Sequence, residues 1–241
     1  MFPFSEELQV SPHTQPNFRV GYQHIHQHIG PLLTPDRKSK IDKVAEGRNF
    51  ANCVVLENIY DRGNASAVMR SAEALGFAQI HLIELGEKFK ESQRTTAGAD
   101  KWLEVKKWRS TEQCIDTLKK NGHRIIVTHL DSTSKPISEI DFSVPTAIVL
   151  GNEKDGVSKE MIAAADDRVL LPMNGFVQSY NISVAGALSF YQMYMDRLRR
   201  LGRNASLDSQ QIEILKAEYY LRSLDSAEDV LRELSQRKAL Q

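Results

Sequence analysis

The chain has 241 residues, of which 41% are hydrophobic and 26% charged, as expected for a globular protein with one substantial core and some appendages. No apolar run approaches the ~20 residues of a membrane span, and no basic region with an apolar core opens the chain, so we expect no membrane association and no secretory signal. Its 31 basic residues balance its 31 acidic residues, so any nucleic-acid binding must come from local patches.

The N-terminal 48 residues are predicted to form a partly irregular arm. The first twenty are polar and proline-rich, and Pro35 is a plausible first residue of a helix because proline is tolerated in the first turn. If the preceding segment were a strand, His24, His26 and His28 would share one face and could bind a transition metal. An exposed polar arm is the preferred interpretation, and we expect no metal.

From residue 49 to residue 201, strand patterns alternate with helix patterns, which predicts a parallel sheet with helices on both faces. The predicted strands are 53–56, 80–83, 103–107, 124–128, 146–150 and 168–171. The predicted helices are 64–75 capped by Asn64, a short one within 88–96, 111–120 capped by Thr111, and a short one capped by Ser158. Cys53 and Cys114 lie in apolar patterns and are interpreted as small buried side chains, which fits a reducing cytoplasm.

The C-terminal part is helical. We expect a long helix over 182–201, a break at 202–206, and amphipathic helices over 208–224 and 226–240, with 202–241 forming an extension. On the long helix, one apolar stripe recurs at spacings of three and four and can serve the chain's own core: Val184, Leu188, Tyr191, Met195 and Leu198. Further apolar residues outside it require another partner: Ala185, Phe190, Tyr194 and Leu201.

Three segments share an unusual composition: an apolar run, then a polar or glycine-containing turn, then a helix start. They are 57–77, 147–158 and 171–185, and the last crowds hydrogen-bonding side chains into a strand-to-helix junction. Burying such groups unpaired costs about 1–3 kcal/mol each, so they need backbone or ligand partners. In parallel α/β proteins, ligands bind outside the carboxyl ends of the strands, where such turns gather.

The three segments resemble the three signature motifs of the SPOUT-class (SpoU/TrmH-like) RNA ribose 2′-O-methyltransferases. The matching residues are Asn64, Arg70 and Gly76 in the first motif, 150–153 with Gly156 in the second, and Pro172, Met173, Gly175, Ser179, Asn181 and 183–185 in the third. The resemblance runs in order from about residue 52 to residue 191. Within the family, segments 175–183 and 98–106 are most similar to the tRNA branch that methylates guanosine-18 of the D-loop.

The resemblance implies properties that hydrophobic periodicity cannot show. It implies a C-terminal deep trefoil knot within about 146–198, a methyltransferase domain over 49–201, and a homodimer with the active site near the subunit contact. It also implies S-adenosylmethionine as methyl donor and tRNA or rRNA as substrate.

By the same resemblance, the catalytic residues are Arg70, Asn64, Glu153, Ser179 and Asn181, and the donor-binding residues are Thr128, Gly151, Leu171, Met173, Ser179, Tyr180 and Asn181. Tyr180 stands where the family usually has leucine. The family's proposals give Arg70 the role of removing a proton. A guanidinium with a pKa above ~12 is a poor base, so an electrostatic clamp on the forming alkoxide is the simpler role.

Basic residues cluster in three places that could contact RNA: Arg37, Lys38 and Lys40; Lys101, Lys106, Lys107 and Arg109, interleaved with Trp102 and Trp108; and Arg197, Arg199, Arg200 and Arg203. Each could equally be a solvated surface.

Three alternatives to a tRNA methyltransferase stay open at this point. The first is a ribosomal RNA 2′-O-methyltransferase, although the arm looks too short for a separate RNA-binding domain. The second is a catalytically inactive RNA-binding relative, which the intact motif residues argue against. The third is a generic nucleotide-binding α/β domain, which leaves segment 171–185 unexplained.

Overall fold

A computed structural model describes residues 1–10, 18–85 and 98–239. The chain divides into two units, one comprising Met1 with Asn49–Ala205 and the other comprising Phe2–Arg48 with Ser206–Gln241. Within the described ranges, no helix combines the length and the apolar character needed to cross a membrane. The short helix predicted within 88–96 falls outside the described residues.

The strands, in chain order, are β1 (Glu7–Gln9), β2 (Arg19–Gly21), β3 (Asn49–Glu57), β4 (Phe77–Ile83), β5 (Glu104–Trp108), β6 (Arg124–Thr128), β7 (Lys135–Pro136), β8 (Thr146–Leu150) and β9 (Asp167–Leu170). The helices are α1 (Tyr22–His28), α2 (Pro35–Glu46), α3 (Arg62–Ala74), α4 (Thr111–Lys120), α5 (Lys159–Ala164), α6 (Ile182–Leu201), α7 (Ser209–Ser223) and α8 (Ala227–Ala239).

The larger unit contains a seven-stranded sheet in the order β5-β4-β3-β8-β6-β9-β7, and every pairing in it is parallel. Alternate side chains of β3 enter two different apolar layers. Val54 and Leu56 join the layer that contains Phe190, whereas Cys53 and Val55 join the layer that contains Cys114. Because both faces are covered, the central strands are almost entirely apolar. The predicted α/β class with a parallel sheet is confirmed.

Both cysteines are buried and unpaired, as their apolar surroundings predicted. Burial raises the pKa of each thiol to about 12. They therefore remain protonated at neutral pH and behave as small core side chains.

Two of the predicted helix caps are wrong by a few residues. The N-cap of α3 is Asp61, whose Oδ1 accepts from the backbone N–H groups of Gly63 (2.6 Å) and Asn64 (3.3 Å). The N-cap of α4 is Ser110 rather than Thr111, and the Thr111 hydroxyl donates to the buried Glu57 carboxylate instead. Ser158 caps α5 as predicted, and Gly76, with φ 85° just after α3, has the left-handed backbone that commonly ends a helix.

The assignment of apolar residues on α6 is wrong for most of the core stripe and for Phe190. The stripe assigned to the core is largely exposed, including Val184, Leu188, Tyr191 and Met195. Phe190, assigned to a partner, is completely buried and packs against Phe77 at 5.8 Å between ring centroids. Periodicity indicates that a helix has an apolar stripe, but it does not show which side the rest of the chain covers.

The buried side of α6 also carries charged residues, so the sequence does not show it as an apolar stripe. Asp196 accepts from the backbone N–H of Phe142 (2.9 Å) and from the Arg200 side chain. Arg197 is 2% exposed and donates to the Asn52 side chain (3.0 Å) and to the Phe142 carbonyl (2.9 Å). Arg197 is therefore a structural residue, and its assignment to an RNA-binding patch is wrong.

The second unit brings together segments from both ends of the chain. Helices α1 and α2 both pack against α7, and β1 pairs with β2 in an antiparallel ribbon. The Arg48 guanidinium donates to the Tyr219 hydroxyl (2.9 Å), and Lys216 bonds to Glu213 (3.0 Å).

The histidines of the N-terminal arm lie on a helix and not on a strand. In α1 the His24 and His28 rings are neighbours, 4.2 Å apart between centroids, whereas His26 packs on Tyr220 and bonds to the Glu213 carbonyl at 2.9 Å. The three imidazoles therefore do not share one face, and the geometry assumed for a metal site is wrong.

Candidate active site

Two clefts lie beside the carboxyl ends of the central strands, the edge at which parallel α/β sheets bind ligands. The larger, called here the β8 cleft, follows β6, β8 and β9 and has a volume of about 560 Å³. The smaller, called here the β4 cleft, follows β3 and β4 and has a volume of about 480 Å³. Both volumes are within the ~300–1,000 Å³ typical of small-ligand sites.

All seven predicted donor-binding residues line the β8 cleft: Thr128, Gly151, Leu171, Met173, Ser179, Tyr180 and Asn181. The Thr128 hydroxyl donates to the Val149 carbonyl (3.0 Å), and the Tyr180 hydroxyl donates to the Pro172 carbonyl (2.9 Å), closing the loop between β9 and α6. Sequence reasoning missed His129, Leu130 and Gln178, which line the same cleft and lie next to predicted residues.

Gly151 occupies a position where a side chain would collide with backbone. A Cβ there would lie 2.3 Å from the Gly156 carbonyl carbon and from the Val157 nitrogen. The approach is close because Asn152 and Gly156 exchange two backbone hydrogen bonds of 2.9 Å, and Gly156 makes the turn with φ 72°. This loop forms part of the cleft wall with its main chain.

Three predicted catalytic residues form one hydrogen-bonded chain at the cleft mouth. The Asn64 amide donates to Glu153 Oε1 (2.9 Å), and the Asn181 amide donates to Asn64 Oδ1 (3.2 Å). Asn181 also caps α6 by accepting from the Ser183 N–H (2.8 Å). Because Asp61 caps α3, the Asn64 side chain is available to join residues of the second and third motifs.

Glu153 also holds the loop that precedes α3. Its two oxygens accept from the backbone N–H groups of Tyr60 (2.9 Å) and Asp61 (3.3 Å). Partial loss of hydration would raise the pKa of this carboxyl, but the hydrogen bonds from Asn64 and from the Tyr60 and Asp61 backbone outweigh that effect, so the pKa lies below its usual value. The group is therefore ionised at neutral pH and acts as an acceptor.

The same loop separates the two clefts, and sequence reasoning did not identify it. Asn58 has a left-handed backbone, with φ 51°, and its carbonyl accepts from the Asn152 amide (2.6 Å). Asn58 and Tyr60 line the β4 cleft, whereas Asn152 and Glu153 line the β8 cleft. The clefts therefore share a wall of hydrogen-bonded loops, here called the 58–61 wall.

Arg70 and Ser179 are less tightly held than the Glu153–Asn64–Asn181 chain. Arg70 is exposed on α3, and within the described parts of the chain its guanidinium makes no hydrogen bond or ion pair. Ser179 is exposed in the lining of the β8 cleft. Both side chains are accessible to a substrate.

The arrangement suits a ligand that has an apolar surface and also groups that can form hydrogen bonds with main chain. The β8 cleft combines apolar side chains, such as Leu171 and Met173, with main chain brought close by Gly151. Among the described residues, no group of three or more His, Cys, Asp or Glu could hold a metal ion.

Comparison with known proteins agrees with the fold and the motifs. Residues 51–191 match the model of the SpoU rRNA methylase family. The tRNA (guanosine(18)-2′-O)-methyltransferase of Borreliella burgdorferi is 35% identical over 80% of this chain and 88% of its own length.

Two solved structures are also similar. The A. aeolicus TrmH/SpoU tRNA modifying enzyme superposes with a TM-score of 0.72 at 29% identity, covering 78% of this chain and 97% of that one. An AdoMet-bound rRNA methyltransferase from Sinorhizobium meliloti gives a TM-score of 0.56 at 25% identity, covering 67% and 60%.

The parallel sheet has two clefts at its carboxyl edge, and the three motifs converge there. Together with the comparisons, this arrangement identifies the protein as an α/β methyltransferase. The family match covers more than half of the chain, and the chain belongs to the SpoU methylase family.

Gly151→Ala is expected to weaken S-adenosylmethionine binding at least about tenfold, because the new methyl group must displace the 151–157 loop from the β8 cleft. Calorimetric titration of the donor measures the effect. Gly47→Ala is the matched control, since Gly47 lies outside the motifs and a Cβ there meets only ordinary contacts at 3.6 Å. Equal donor affinity in both variants would contradict the role of this loop.

Proposed function

We propose that this protein transfers a methyl group from S-adenosylmethionine to the ribose 2′-oxygen of guanosine-18 in tRNA. The observation that carries the proposal is the hydrogen-bonded chain Glu153–Asn64–Asn181, which joins all three motifs at the mouth of the β8 cleft. The proposal is supported by family membership and by relatives named as tRNA guanosine-18 methyltransferases.

In this proposal the donor occupies the β8 cleft. When bound, S-adenosylmethionine supplies a methyl group on a positively charged sulfur, which is a strong electrophile. Leu171 and Met173 provide apolar packing, and the 151–157 loop offers main-chain groups that can match the hydrogen-bonding edge of adenine. The AdoMet-bound neighbour from S. meliloti supports this choice of donor.

The substrate hydroxyl is a weak nucleophile, so its position and the charge that develops on it decide the rate. In the reaction the ribose oxygen forms a bond to the methyl carbon, the carbon–sulfur bond breaks, and the hydroxyl proton leaves to water or to a phosphate oxygen. We assign Arg70 to stabilise the negative charge on the ribose oxygen, because an arginine is a strong hydrogen-bond donor and a poor base.

Asn64, Ser179 and Asn181 are proposed to orient the ribose, and Glu153 to hold Asn64 and the 58–61 wall in place. Asn64 can do this because its amide is fixed at both ends, donating to Glu153 and accepting from Asn181. Because the amide is already fixed, little conformational entropy is lost when the substrate binds, and Asn64 can hold the ribose in a defined orientation.

We propose that the active protein is a homodimer that meets along the exposed face of α6. Exposed large apolar side chains concentrate in this part of the chain: Phe176, Val177, Val184, Leu188, Tyr191, Met195 and Leu201. Their spacing on the helix, at intervals of four, three and four from Val184 to Met195, suits packing against a second helix. The stripe follows directly from the third motif, so a twofold contact here would lie beside the β8 cleft.

Two further properties are proposed with this function. A trefoil knot over about 146–198 is supported by the resemblance of the motifs and by the similarity to the TrmH/SpoU structure. A cytoplasmic location is supported by two unpaired cysteines and by a tRNA substrate. The division into an arm (1–48), a methyltransferase domain (49–201) and a helical extension (202–241) also remains a proposal.

The decisive experiment incubates the purified protein with S-adenosylmethionine and, in separate reactions, unmodified tRNA or unmodified ribosomal RNA, then maps 2′-O-methylation by mass spectrometry. We expect 2′-O-methylguanosine at position 18, and no incorporation into tRNA that already carries that methyl group. A methyl group in ribosomal RNA instead would favour the rRNA alternative. Donor binding without any methylated RNA would favour an inactive RNA-binding relative.

A further inference from the structure

The β4 cleft has no role in the chemistry described above, although it shares the 58–61 wall with the β8 cleft. Its walls are apolar, formed by Leu56, Ile59 and Leu82, and its polar side chains include Tyr60 and Glu84. Tyr60 is 89% exposed, while its backbone N–H is held by Glu153. Tyr60 therefore carries an exposed aromatic side chain on a fixed main chain in the lining of the β4 cleft.

Glu84 has a buried oxygen that the fold does not use. Its backbone N–H donates to the Trp108 carbonyl (3.0 Å), which fixes the residue at the end of β4 beside β5. Its Oε1 is buried and has no hydrogen-bond partner among the described residues. A buried carboxylate oxygen without a partner is costly. Because Glu84 belongs to the lining of the β4 cleft, a ligand there that donates hydrogen bonds would relieve that cost.

We propose that the β4 cleft receives the base of the target nucleotide and that Glu84 selects guanine; this inference rests on the proposed function. An ionised carboxylate only accepts hydrogen bonds. Guanine carries two adjacent donors, N1–H and the N2 amino group, on its Watson–Crick edge. On the corresponding edges, adenine, cytosine and uracil each carry only one donor group, so only guanine can offer two neighbouring donors to one carboxylate.

The shared wall explains why this position suits the reaction. A base in the β4 cleft leaves its ribose at the 58–61 wall, next to Asn64 and Glu153, with the β8 cleft on the neighbouring strands. Tyr60 can stack on the base, as aromatic residues do when proteins read unpaired RNA bases. Stacking tolerates any base, so Tyr60 supplies affinity and Glu84 supplies the choice of base.

The test compares tRNA carrying guanosine at position 18 with tRNA carrying inosine there, which lacks only the N2 amino group. We expect the wild type to prefer guanosine about tenfold to a hundredfold in kcat/KM, as for a hydrogen bond to a charged group. In Glu84→Gln, the amide N–H₂ competes with the guanine amino group, so the preference should fall to about twofold or less. Glu112→Gln, an exposed glutamate on α4, should keep the wild-type preference.

Tyr60→Ala separates stacking from edge recognition. It should raise KM for both tRNAs about tenfold and leave their ratio unchanged, whereas Tyr60→Phe keeps the ring and should resemble the wild type. Donor affinity by calorimetry should be unchanged in every variant, because neither side chain lines the β8 cleft among its described residues.

The outcomes distinguish this inference from the function on which it rests. Absence of methylation at guanosine-18 by the wild type overturns both. Methylation of guanosine-18 with an unchanged guanosine preference in a folded Glu84→Gln variant overturns the role of Glu84 alone. If that variant does not fold, the wild-type kinetics test the proposal by themselves. Equal wild-type kcat/KM for tRNA with guanosine and tRNA with inosine at position 18 would overturn it.

Discussion

Arg70→Ala should lower the turnover of methyl transfer about a hundredfold or more, the effect usually seen when one charge-stabilising donor is removed. Donor affinity should stay within a few-fold of the wild type, because Arg70 is not among the described residues that line the β8 cleft. The fold should persist, since Arg70 is exposed on α3 and alanine favours a helix. Steady-state kinetics, donor calorimetry and thermal melting measure the three quantities.

Two further variants make this result specific. Arg70→Lys should recover little activity, because lysine lacks the planar guanidinium. Lys120→Ala, which removes an exposed cation at the end of α4, should leave turnover unchanged. An Arg70→Ala enzyme that retains more than about a tenth of wild-type turnover would exclude the assigned catalytic role.

Tyr191→Glu should convert the proposed dimer to monomers at micromolar concentration and abolish most of the activity at the same time. The side chain is 56% exposed in the middle of the α6 stripe, so a charge there leaves the monomer core intact but opposes burial against a second copy. Analytical ultracentrifugation together with a methylation assay tests the linkage between assembly and activity.

The controls for this variant follow from the burial pattern. Tyr191→Phe should remain dimeric and active, and Leu32→Glu, which charges an exposed leucine elsewhere, should also remain dimeric. Phe190→Glu is unsuitable as an interface probe, because it would bury a charge in the core and unfold the protein. A wild type that sediments as a fully active monomer would contradict the proposed contact.

Much of the secondary structure follows from the sequence itself. The bounds of β6, β8 and α6 agree with the prediction residue by residue, because β-branched runs between polar turns and a long helical pattern closed by a glycine are local signals. The helix cap does not follow from local signals alone, since Asp61 and Asn64 can both accept the required hydrogen bonds. Only the conformation of the preceding loop, held by Glu153, decides between them.

The sequence also determined which residues belong to the motifs, and all seven predicted donor-binding residues line one cleft. Their assembly depends on contacts between distant segments. Asn64 meets Glu153 across 89 positions and Asn181 across 117, and neither partner can be read from the residues around Asn64. The 58–61 wall and the unsatisfied oxygen of Glu84 depend in the same way on how neighbouring strands end.

The covered side of α6 and the partners of the chain ends were decided only by tertiary structure. A stripe such as Val184 to Leu198 has the same periodicity whether it faces the core or the solvent, and here buried partners for Asp196 and Arg197 turn the opposite side inward. Likewise, α1 and α2 pack on α7, which lies more than 160 residues further along the chain. An amphipathic pattern shows that one face of a helix must be buried against another segment. Which segment buries it depends on packing between parts of the chain that are distant in sequence.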